Sequence, residues 1–120
     1  MKKLAFALLV AYTLPLHAAD LYCEGQAWAA AVPGPFADSR VVSLDQTNLQ
    51  LSVSTLTGGA SGQVKSGEKE YYGLVYSPTK SYLINLNRFT GEFVLMIADD
   101  SGLPTSQEFS GKCRKQAPQF

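Results

Sequence analysis

The chain offers few residues that could do chemistry. Its one compact acidic pair is Asp99-Asp100. Adjacent residues on a strand end or loop point apart, which does not suit the two facing carboxylates of a glycosidase, so a turn-forming role is expected. His17 is the only histidine, and it falls in a segment expected to be removed. Without it no serine or cysteine has an imidazole base, and the common zinc sites are excluded. Catalysis, a metal and a cofactor are therefore not expected. Aromatic residues are the better lead: Tyr71, Tyr72, Tyr76 and Tyr82, with Trp28, are rigid amphipathic groups of the kind enriched in recognition surfaces. Alternation along a strand sends Tyr72 and Tyr76 to one face and Tyr71 to the other.

One further candidate lies in INLNRFTGEF, Ile84 to Phe93. The strand patterns stop at Asn87 and resume at Glu92, so residues 88–91 read as a hairpin loop with Gly91 at a position of positive φ. That loop explains Asn87, Thr90 and Gly91. It does not require Arg88, whose expected partners are Glu92, Glu70 or the Phe89 ring.

The ends of the chain bound where these residues work. Lys2 and Lys3 precede an apolar run from Leu4 to Leu16, and Ala18 and Ala19 follow, the pattern of an export signal covering residues 1–19. No cysteine directly follows the expected cleavage point, and no second long apolar run exists, so no membrane anchor is expected. What remains, residues 20–120, is about 100 residues and one domain. Losing Lys2 and Lys3 takes the balance from ten basic against ten acidic residues to eight against ten. That weak balance gives no footprint for nucleic acid. Cys23 and Cys113, near the two ends of this domain, are expected to form a disulfide in an oxidising compartment, the periplasm or the medium.

Between the cysteines the chain reads as strands and turns. Strand patterns cover Leu21–Ala29, Arg40–Leu44, Asn48–Leu56, Glu68–Tyr76, Ser81–Asn87, Glu92–Ala98 and Glu108–Arg114. Pro33-Gly34-Pro35 is expected to stop any helix through Ala29–Ala31. Thr57–Gly67, with four glycines, reads as an exposed, mobile connection. Seven or so strands joined by short turns predict an all-β domain, an antiparallel meander closed as a small barrel or packed as a sandwich, tied by one disulfide. Gly25 and Gly111, each two residues from a cysteine, suggest close backbone approach there.

Two resemblances follow. The opening Y-x-C-x-G (Tyr22, Cys23, Gly25), the hairpin I-N-x-N-R-x-T-G-x-F, and the ending F-x-G-x-C with a terminal aromatic (Phe109, Gly111, Cys113, Phe120) resemble a recurrent type of small exported bacterial protein with no activity attached. The stretches SGEKEY (Ser66 to Tyr71) and YSPTKS (Tyr76 to Ser81) are similar to the S-G-x-x-Y and Y-x-x-x-T-K-G motifs of periplasmic inhibitors of c-type lysozyme, small antiparallel barrels. That resemblance implies a lysozyme-type partner contacted by Ser66, Tyr71, Thr79 and Lys80. The expectation is thus a soluble exported binding protein, not an enzyme, with candidate contacts at Tyr71, Tyr76, Thr79, Lys80 and Arg88. An envelope carbohydrate or other small ligand is the alternative partner.

Overall fold

The computed structural model describes residues 18–115. The expected export signal lies outside them except for Ala18 and Ala19, as does Phe120. Nine strands follow one another: β1 (Ala18–Ala29), β2 (Val32–Asp45), β3 (Gln50–Thr55), β4 (Gly58–Gln63), β5 (Lys65–Ser66), β6 (Glu70–Tyr76), β7 (Ser81–Asn87), β8 (Glu92–Ala98) and β9 (Pro104–Lys115). All pair antiparallel in the order β4-β3-β2-β1-β9-β8-β7-β6-β5, and a β4–β6 pairing closes eight of them into a barrel with β5 as an extra strand. Of the two expected architectures, the barrel is the one formed.

Alternation builds the interior. Cys23 and Ala27, Val42 and Leu44, Leu51 and Val53, Tyr71 and Val75, Tyr82, Ile84 and Leu86, and Phe93 and Leu95 all point inward. Within each strand these residues sit two or four apart, as a sheet with one buried face requires. Tyr72 and Tyr76 are exposed while Tyr71 is buried.

Thr57–Gly67 differs from expectation. It forms β4 and β5, interrupted at the buried Val64, not a mobile connection. Its small residues are demanded by packing: a Cβ on Gly62 would lie 2.8 Å from Leu74 O and 3.1 Å from Val75 Cα. Pairing between β4 and β6 is limited to Ser61 with Tyr76, and close approach takes the place of side chains. No helix forms at Ala29–Ala31, and β2 runs straight through Pro33-Gly34-Pro35 from a tight turn at Ala30-Ala31.

The seam between β1 and β9 runs from Leu21 to Ala27, with Cys23 opposite Cys113 and Gly25 opposite Gly111. A Cβ on Gly25 would lie 2.0 Å from Ser110 O, and one on Gly111 would lie 2.4 Å from Glu24 O. The expected disulfide is present and spans 90 residues of sequence. On the chain-entropy account it stabilises the fold by about 4 to 5 kcal/mol, a large share of a small domain's total. Replacing both cysteines by serine should lower the unfolding free energy measured in urea by that much, with a steeper slope because the unfolded chain is no longer cross-linked. A loss under about 1 kcal/mol would mean that the seam holds without it.

Candidate functional site

The barrel has two unlike ends. At the first, where β1, β3, β6 and β8 finish, the turns are residues 30–31, 56–57, 77–80 and 99–103. A cavity of about 570 Å³ opens there between the tip of the β1–β2 hairpin (Ala29–Ala31), Trp28, Leu56, Ile97, Lys80 and Glu108. The volume falls within the range of small-molecule sites.

Glu108 reaches the cavity because β9 carries a bulge. Leu95 pairs with Phe109 and Met96 with Gln107, so Glu108 has no opposite residue. It turns inward beside Phe109, and both are buried. Arg40 meets it from β2, with Nη2 3.7 Å from Glu108 Oε1. The Arg40 guanidinium lies over the Phe109 ring at 4.9 Å, and its Nη1 donates to Asp38 Oδ2 and to Ser39 O. Tyr82 completes this polar layer. Within it Arg40 Nε and Nη2, Tyr82 OH and Glu108 Oε1 are buried with no hydrogen bond at standard geometry, although the Tyr82 hydroxyl is close enough to favour the Glu108 carboxylate. Buried polar groups left unmet are costly.

Burial pushes the Glu108 carboxyl above its usual range, against the opposing pull of Arg40, the Leu56 N–H, Lys80 and Tyr82. Asp38 moves the other way, held low chiefly by its Arg40 hydrogen bond against a burial cost.

At the opposite end a shallower concavity of about 390 Å³ is lined by Tyr71, Arg88, Phe89 and Cys113 among others. Arg88 begins the expected hairpin loop, in which Asn87 Oδ1 accepts from the Phe89 and Thr90 N–H groups and Gly91 has φ 81°. Its expected partners are not the observed ones. Nη1 donates to Gly67 O (2.9 Å) and Ser66 Oγ (3.3 Å), and the guanidinium lies 5.0 Å from the Tyr71 ring centroid. Arg88 thus ties the β5–β6 turn to β7. Phe89 extends into solvent, 77% exposed.

The sequence-derived contacts are divided between the ends. Ser66, Tyr71 and Arg88 come together at one, and Tyr76, Thr79 and Lys80 stand at the other, about 17 Å away along β6 at strand rise. The Ser77–Lys80 turn is held by Ser77 Oγ, which accepts from the Thr79 and Lys80 N–H groups. Sequence reasoning passed over Arg40 and Glu108. Arg40 was legible, since it shares strand parity with Val42 and Leu44. Glu108 was not, because only the bulge turns it inward.

Among the described residues no group of three or more histidine, cysteine, aspartate or glutamate side chains could hold a metal ion, and no helix is long and apolar enough to cross a membrane. Compared with known proteins, the chain matches no family model, no curated protein and no solved structure.

Two outcomes follow. Arg88→Ala removes a charge-assisted carbonyl bond and a ring contact on an exposed loop, and should cost about 1 to 2 kcal/mol in urea unfolding; no loss would mean that the tether is idle. Because the folded state holds the Glu108 proton more tightly than the unfolded chain, its contribution is full below the unfolded value of about 4.5 and is lost as pH rises through the folded value. Glu108→Gln should therefore gain stability relative to wild type as pH rises from 4.5 to 8, and a gap independent of pH would contradict that assignment.

Proposed function

We propose that this is an exported, non-enzymatic binding domain that takes a small ligand with an apolar body and a polar head into the cavity at the Trp28 end of the barrel. The observation that carries the reading is Glu108: a carboxyl only 2% exposed, with Oε1 making no hydrogen bond at standard geometry, at the wall of a cavity whose apolar lining is Trp28, Leu56, Ile97 and three alanines and whose other polar lining is Lys80, Thr57 and Ser106. A core built for stability alone would place an apolar residue there, because replacing a buried ion pair by hydrophobic side chains is often neutral or stabilising. Apolar walls with a few convergent polar groups are the usual composition of a ligand site. Export to the periplasm or the medium is supported by the disulfide, which persists in oxidising compartments.

Trp28 is the only tryptophan and it lines the cavity, so emission excited selectively at tryptophan, away from the six tyrosines, reports on this site. Titration of the oxidised protein with octanol should change that emission saturably, while glucose, lacking an apolar body, should not. A c-type lysozyme added in the same experiment tests the protein-partner alternative. Saturable lysozyme binding with no response to any amphiphile would overturn the small-ligand reading.

A further inference from the structure

The charges around the cavity narrow the polar head. Every charged or titratable group facing Glu108 can be named: Arg40 from β2 and Lys80 from the β6–β7 turn, both cations, and the Tyr82 hydroxyl from β7. Asp38 is engaged by Arg40 and lies farther out, its side chain 30% exposed. Glu108 is the member of the polar layer that lines the cavity, with Arg40 behind it and Lys80 in front.

A cationic head would have to approach Glu108 past Lys80 and toward Arg40, against two like charges. A neutral alcohol head satisfies Glu108 Oε1 but makes no use of either cation. An anionic head is drawn by both. It does not repel Glu108 if one proton lies between the two carboxyl groups, as happens when paired carboxyls share a buried site. At the cavity wall itself Lys80 can only donate and a protonated Glu108 donates as well, so the pair favours a head that accepts hydrogen bonds.

Resting on the small-ligand reading, we propose that the cavity binds a monocarboxylic acid with an apolar body, its carboxylate seated between Glu108 and Lys80 and sharing one proton with Glu108. No covalent bond changes; the ligand enters as its carboxylate with one proton taken up at the Glu108 pair, or as the neutral acid with none. Affinity for the carboxylate consequently falls as pH rises and Glu108 gives up its proton.

Octanoate, octanol and octylamine share one apolar body and differ only at the head, so Trp28 emission titrations with each separate the two levels of the argument. Octanoate at pH 5 should bind at least about tenfold tighter than octanol, the effect of one charge-assisted hydrogen bond, and octylamine should bind weakest. Lys80→Ala should collapse the ratio between octanoate and octanol toward one. Glu108→Gln, which keeps a donor at that position at every pH, should abolish the fall in octanoate affinity between pH 5 and 8. Octanol or octylamine binding as tightly as octanoate would overturn the carboxylate assignment and leave the cavity reading standing. Silence from all three ligands would overturn both.

Discussion

Where β1 meets β9, Gly25 faces Gly111 with the backbones too close for any side chain, and the rest of the barrel is arranged around that contact. The absence of a Cβ on Gly111 leaves space into which the Phe109 ring folds, its Cζ 2.8 Å from where that Cβ would be. The ring, tilted against Phe93 at 6.2 Å, then offers a face on which the Arg40 guanidinium lies. Arg40 in turn offsets part of the cost that burial imposes on an ionised Glu108. A backbone approach thus determines, through one ring and one cation, the character of a cavity at the far end of the strand. The disulfide two residues along stabilises the same seam by restricting the unfolded chain.

The two closures of the barrel are unequal. The β1–β9 seam is a continuous ladder with a covalent link, whereas β4 touches β6 at a single bridge and hands over to β5, which pairs Lys65 and Ser66 with Tyr72 and Tyr71. Arg88 compensates at this weaker side, since its bonds to Gly67 and Ser66 and its place over Tyr71 join the β5–β6 turn to β7. The hairpin arginine that the turn itself does not need is therefore explained by closure, in keeping with the low local stability expected of short, sparsely paired strands.

How much of this could be read from the sequence depended on whether alternation stayed regular. Ser81–Asn87 and Glu92–Ala98 alternate without interruption, and their inward residues Tyr82, Ile84, Leu86, Phe93 and Leu95 are the buried ones. The turn at residues 88–91 and the disulfide were legible because glycine and cysteine each serve few purposes in such positions. Gly58–Gln63 was illegible because a strand chosen for closeness carries glycine, serine and alanine, the composition of a loop. The polar layer escaped for a different reason. A buried charge breaks the apolar pattern that strand reading depends on, and a bulge resets its phase, so Glu108 looked like an outward residue.

The same constraint explains the wall of the cavity. Beyond Ala27 and before Val42 the β1–β2 ribbon pairs with neither β9 nor β3, so it projects past the barrel with its tip at the cavity. A projecting ribbon presents a free strand edge, which invites association with other chains. On β2 the amides directed at that edge recur every second residue. Val41 N–H is taken by Ser54 Oγ and Ser39 N–H by Asp38 Oδ1, while Pro33 and Pro35 have none to offer. The prolines expected to stop a helix thus also blunt the edge of the projecting strand, and Asp38, in taking both Ser39 N–H and the Arg40 guanidinium, couples that edge to the polar layer behind Glu108.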